Sequence, residues 1–133
     1  MRAMDSNYET DSVENIISEL IDYRGKSPPK SENGIKLITA KVIGDGFIEN
    51  KNHEYITRST YDDWMSRGFP QRGDVLITTE APLGKVAQLQ TDEKIALAQR
   101  IILLRGNPKI VDQNYLFHAM RSPLVQARLQ KRA

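Results

Sequence analysis

The chain has 133 residues and a mass of 15.1 kDa, the size of one domain able to fold alone. It has no cysteine, which excludes disulfide scaffolds, Cys-based zinc sites and thiol nucleophiles, and its two histidines leave little for a metal centre. The net charge of +2 hides an asymmetry: residues 1–23 carry one base and six acids, whereas residues 24–133 carry 18 bases and 11 acids, the balance of a polyanion binder behind an acidic lead.

Residues 1–10 are polar and read as a frayed lead, without the apolar stretch of a signal peptide. Val13, Ile16, Ile17, Leu20 and Ile21 recur at helical spacing, so a helix is expected over 12–22, capped by Asp11 with Glu14 as its box partner. Its apolar side chains are expected to share one core with Ile77 and Ile102. Residues 25–34 hold two prolines and two glycines and read as a loop.

Short strands follow. Ile35–Ala40 is rich in β-branched residues, Val42-Ile43 and Phe47-Ile48 flank a Gly44-Asp45-Gly46 turn, and Tyr55–Thr57 is another brief strand. Ser59 is expected to cap a short helix through Trp64, with the indole in the core. Val75–Thr79 is the strongest strand pattern, with Lys85–Leu89 as its partner beyond the Pro82 turn. Ile95–Leu97 and Arg100–Arg105 complete the strands. Asp112 caps a helix carrying Leu116 and Met120, and Ser122-Pro123 starts another. The fold class expected is α+β: a small mixed or antiparallel sheet flanked by an N-terminal helix and C-terminal helices.

No strong catalytic constellation emerges. There is no P-loop, dinucleotide fingerprint or nucleophile elbow, and no His pair at i, i+4 spacing. Asp74, Glu80 and Lys85 follow the acid, acid, lysine order of metal-dependent nucleases, but Pro82 keeps Glu80 and Lys85 off one strand face. Ser27-Pro28-Pro29-Lys30 is a faint echo of an amino-methyltransferase loop, yet lacks the amide or acid and the aromatic that hold a flipped base. His118 is expected to be a partly buried structural residue, and His53 lies in a polar loop. No metal and no cofactor are expected.

One ordered set of motifs is distinctive. Tyr23-Arg24-Gly25-Lys26-Ser27-Pro28-Pro29 is followed by Leu37-Ile38-Thr39-Ala40-Lys41 and Asp45-Gly46-Phe47-Ile48. Then come Tyr55-Ile56, Tyr61-Asp62-Asp63-Trp64, Gly73-Asp74-Val75-Leu76, Gly84-Lys85-Val86-Ala87 and Gln99-Arg100. From about residue 12 to 130 this order resembles the target recognition domain of the DNA specificity subunit of type I restriction-modification systems. The resemblance implies a single recognition domain over 11–133, incomplete because the family continues into further strands and a spacer helix. It implies non-catalytic, sequence-specific recognition of double-stranded DNA, in a cytoplasmic complex with separate methyltransferase and endonuclease subunits. No membrane association is expected, and without the spacer helix the chain is expected to be a monomer or weak dimer.

Residue chemistry is compatible with that implication. Phosphate contacts need Lys and Arg, and base readout needs Arg, Lys, Asn, Gln or Thr at groove edges. The candidates are Arg24, Lys26 and Lys30 in the first loop, then Lys51, Asn52, His53 and Arg58 over 49–58. Arg67, Gln71 and Arg72 follow over 67–72, with Thr78, Thr79 and Lys85 beside the Pro82 turn. Arg24 and Lys26 are expected to grip phosphate, and the base readers to sit in the less patterned loops 49–58 and 67–72. Two alternatives compete: an interaction protein that binds methyltransferase subunits without strong DNA affinity, and a small nuclease using Asp74 and Glu80.

Overall fold

A computed structural model describes residues 17–22, 28–66, 68–80 and 83–131. Its strands are β1 (Ile17–Asp22), β2 (Ile35–Ile38), β3 (Glu54–Ile56), β4 (Val75–Thr79), β5 (Leu83–Gln88), β6 (Ile95–Leu97) and β7 (Ile101–Gly106). Its helices are α1 (Arg58–Trp64), α2 (Gln113–Arg121) and α3 (Pro123–Lys131), with a 3-10 turn at Ala40–Val42. One sheet is antiparallel, in the order β1-β7-β4-β5. The other is mixed, in the order β3-β2-β6, with β3 antiparallel and β6 parallel to β2. The α+β class is as expected, built from two small sheets rather than one.

The apolar runs of β4 and β7 do not alternate with polar residues, because both faces of the antiparallel sheet are covered. Successive side chains of a strand point to opposite faces. Leu76, Ala87, Ile101 and Leu103 enter the larger core, with Leu37, Ile38, Ile56, Ile95 and Leu97 of the mixed sheet. Val75, Ile77, Val86 and Leu104 point the other way and pack under α2 through Leu116. Ile102 belongs to this second cluster, and Ile21 to the first. The single shared core expected of these residues is therefore divided by the sheet itself.

The N-terminal helix expected over 12–22 is overturned in its described part, which is the edge strand β1. Val13 and Ile16, like the cap Asp11, lie outside the described residues. Leu20, expected in the core, is 60% exposed, while Ile21 is buried. The spacing of Leu20 and Ile21 fits either periodicity over so short a stretch. The strand also satisfies the free edge of β7, whose backbone groups would otherwise lack partners. A register shift between Ile17 and Glu19 leaves Ser18 in a bulge, where its hydroxyl lies within hydrogen-bonding distance of the Arg105 and Gly106 carbonyls.

The helix caps are local. Asp112 Oδ1 accepts from the backbone of Asn114 and Tyr115 at the start of α2, and the Ser122 hydroxyl accepts from Val125 N at the start of α3. For α1 the cap is Thr57, which accepts from Thr60 N, and not the expected Ser59. At the start of β5, Gly84 has φ +88°, and a Cβ there would meet the Gln126 side chain at 2.8 Å. Gln126 and Gln130 of α3 donate to the Gly84 and Leu83 carbonyls, so the outer edge of β5 is covered by a helix.

One buried ion pair joins these parts. Asp74, 1% exposed, accepts from Arg105 Nε and Nη2 at 2.9 Å each and from Gln71 N at 2.8 Å. Arg105 Nη2 also donates to the Phe69 carbonyl at 3.0 Å. Removing one partner of a buried pair leaves the other charge uncompensated and costs about 3–5 kcal/mol, whereas replacing both is far milder. Arg105→Leu should therefore lower the urea midpoint sharply, by an unfolding free energy of about 3–5 kcal/mol, and adding Asp74→Asn should restore part of it. A single variant with an unchanged midpoint would deny the pair its structural role.

Candidate nucleic-acid interface

Parallel strands deliver their C-terminal ends to the same side of a sheet. Lys36, Leu37 and Ile38 of β2 pair with Ile95, Ala96 and Leu97 of β6, so Thr39–Lys41 and Ala98–Arg100 leave the sheet together. Antiparallel β3 begins at that end, with Glu54 opposite Leu37. Lys30 is held alongside by Ser31, whose N–H donates to the Tyr55 carbonyl at 2.8 Å. The result is a cleft of about 300 Å³ walled by Lys30, Lys41, Glu54 and Arg100.

Glu54 organises the cleft. Lys30 Nζ lies 2.6 Å from its Oε1 and Lys41 Nζ 2.7 Å from its Oε2. Hydrogen bonds from Lys30 and then Lys41 hold the carboxyl below its ordinary value near 4.5, against the opposing effect of burial. Both lysine side chains are more than half exposed, whereas that of Glu54 is 21% exposed. Arg100, on the facing wall, reaches Glu80 at 3.2 Å. The Thr39 hydroxyl is buried in the cleft wall without a hydrogen-bond partner.

The loop before β3 presents polar side chains to solvent. Lys51 and Asn52 are exposed, and Asn52 takes a left-handed φ of 63°, which Asn tolerates better than most residues. His53 is half-buried, with Nδ1 unpartnered, and lines a second cavity of about 470 Å³ together with Phe47 and Phe117. Arg58 lies beyond the other end of β3, 3.9 Å from Asp62, and so is separated from Lys51 and Asn52 by the strand.

The remaining candidates fare differently. Arg24, Lys26 and Arg67 lie outside the described residues. Gln71 is exposed, with its amide against the Arg105 guanidinium. Arg72 grips Asp92 with two bonds of 3.1 Å and donates to the Gln90 carbonyl at 2.7 Å. Thr78 is fully buried and its hydroxyl accepts from Lys85 N at 2.9 Å, which corrects its expected place on a binding surface. Thr79 and Lys85 are half-buried, and Thr79 N donates to the Arg100 carbonyl.

No family model and no curated protein matches the chain. Solved structures do. The HsdS subunit from Thermoanaerobacter tengcongensis superposes with a TM-score of 0.53 at 20% identity, over 80% of this chain and 25% of that one. A chain from a structure on complex assembly and conformational transition of the type I R-M system gives 0.55 at 16% identity, over 77% of this chain and 24% of that one. The α+β fold thus resembles part of an HsdS subunit. The chain spans about a quarter of the length of either neighbour.

Within the HsdS-like fold, the motifs divide between structure and surface. Gly73-Asp74 is structural: Gly73 O accepts from Gln113 Nε2 at 2.7 Å, and Asp74 is committed to Arg105. That commitment also removes Asp74 from the nuclease arrangement considered for it with Glu80, which pairs with Arg100. Trp64 packs on the larger core as expected, its indole N–H donating to the Leu97 carbonyl at 2.8 Å. His118, expected to be partly buried, is exposed beside Phe117 at a ring separation of 5.1 Å. Lys41 and Arg100 were not among the sequence candidates, although each charge stands three residues past the end of a strand.

The clamp predicts a pH signature. A carboxylate whose pKa is lowered on folding stabilises the fold above its unfolded value, and this is lost as pH falls through the lowered folded value. The urea midpoint of the parent should exceed that of Glu54→Gln at pH 7, and the gap should close below about pH 4.5. A gap independent of pH would show that the carboxylate charge is not what holds the lysines.

Proposed function

We propose that the chain is a DNA-recognition module of a type I restriction-modification specificity subunit, reading double-stranded DNA without catalysing a reaction. The observation that carries this reading is an HsdS-like fold whose cation-lined cleft adjoins the exposed residues 49–52. Phosphate contacts set register and carry no sequence information, so a reader needs both a basic grip and free polar side chains nearby. Lys51 and Asn52 supply the second kind of group, and Asn can pair bidentately with adenine in the major groove.

Arg58, Gln71 and Arg72 are weaker readers in this arrangement. Arg58 sits at the far end of β3, and the other two already serve intramolecular partners. Arg24, Lys26 and Arg67 retain their proposed phosphate and base roles on chemistry alone. The methyltransferase and endonuclease subunits of such a system are the proposed protein partners, in the cytoplasm. Among the described residues no helix is long and apolar enough to cross a membrane.

The test is selection from a random duplex pool, followed by titration of the enriched sequence. Asn52→Ala or Lys51→Ala should cost about 1–3 kcal/mol on the selected target and relax preference at one base pair, while leaving unrelated duplexes unaffected. Absence of salt-sensitive retention by the folded chain would overturn the reading.

A further inference from the structure

We infer that the cleft between Lys30, Lys41 and Arg100 is a preformed seat for a phosphate of the DNA backbone, with Glu54 as the residue that positions the two lysines. The inference rests on the proposed DNA reading and adds a location and a mechanism to it. Three cations reach one cleft from three separate segments, against the carboxylate of Glu54 in its wall and that of Glu80 paired with Arg100.

Backbone contacts fix the chain at or beside all three cations, and ion pairs then hold their side chains. Lys30 precedes Ser31, which bridges to Tyr55. Lys41 sits in the 3-10 turn closed by Val42 N onto Thr39 O at 3.1 Å. The Arg100 carbonyl accepts from Thr79 N at 3.0 Å, and two residues earlier Ala98 N donates to the Ile38 carbonyl at 2.9 Å. Long cationic side chains ordinarily lose conformational freedom when they bind, and groups held in place beforehand lose less.

Glu54 supplies that order for the two lysines without exhausting them. An ammonium carries three N–H donors, and one directed at a carboxylate oxygen leaves donors for another acceptor. A phosphate oxygen at the cleft mouth is such an acceptor, and Arg100 can approach it from the facing wall. The loop carrying Lys51 and Asn52 runs directly into Glu54 at the start of β3. A phosphate seated in the cleft would therefore fix the register of that loop on the neighbouring bases.

The experiment measures binding of the 133-residue chain to a labelled random-sequence duplex of about 20 base pairs across a salt series. Lys41→Gln and Arg100→Gln are compared with Lys109→Gln, which removes an exposed charge outside the cleft. Circular dichroism confirms folding, and Lys30→Gln replaces either cleft variant that fails it. Each cleft variant should weaken all duplexes roughly eightfold at 0.1 M salt and reduce the slope of log affinity against log salt by about 0.9. Lys109→Gln should leave the slope unchanged. Duplex binding with parental slopes in the cleft variants overturns the seat and leaves the DNA reading standing. Equal losses in all variants, the control included, also overturn the seat, because net charge alone then accounts for the effect. No duplex retention by the folded parent at low salt overturns both, and inorganic pyrophosphate binding in that case assigns the cleft to a free anion.

Discussion

The buried pair of Asp74 and Arg105 is the constraint around which the antiparallel sheet is assembled. Asp74 stands at the start of β4, and Arg105 near the end of the neighbouring β7. A buried carboxylate must be neutralised and hydrogen-bonded or it opposes folding. Here that need is met only when the two strands are in register and the chain at 69–71 has closed over them. The same turn presents the Gly73 carbonyl to Gln88 and Gln113, and Gln113 Oε1 accepts from Gly106 N. Helix α2 is thus tied by polar contacts to the ends of the strands whose apolar face it covers. A hydrophobic core is tolerant of sliding, whereas this network specifies one arrangement.

Much of the fold was legible because its signals are local. Asp112 and Ser122 cap helices within three residues, and β4 and β5 are two apolar runs separated in the sequence by Pro82. The strand β1 was not legible. Its side chains fit a helical stripe, and what decides its conformation is an unpaired edge on β7, 80 to 89 residues away in the chain. The division of the core was hidden for a related reason. Continuous apolar runs in β4 and β7 report burial on both faces but do not say what lies against each.

The candidate interface was legible in composition and not in geometry. Lys30 was singled out by its loop, but Lys41, Glu54 and Arg100 become one site only through the pairing of β2 with both β3 and β6. Pairing partners so distant leave no spacing rule in the sequence. Conversely, Arg72 and Thr78 look like surface contacts by residue type. The structure commits the first to Asp92 and turns the second inward. A charged or hydroxylated residue signals a capacity for hydrogen bonding, and whether that capacity faces DNA or the protein itself is decided by tertiary contacts.

The parallel ladder between β2 and β6 also orders events as the chain folds. Joining the ends of a long loop costs entropy before any contact repays it, so pairings distant in sequence form late. The hairpin of β4 and β5 closes over a few residues and can form early. The ladder joins strands 59 residues apart and so carries a larger closure cost. Because the cation cluster is carried by that ladder, the surface suited to a polyanion is completed only after such local pairings. A chain in which the ladder has not closed carries the same positive charges without the geometry that gathers them, so nonspecific attraction to nucleic acid needs only the sequence, whereas ordered binding needs the fold.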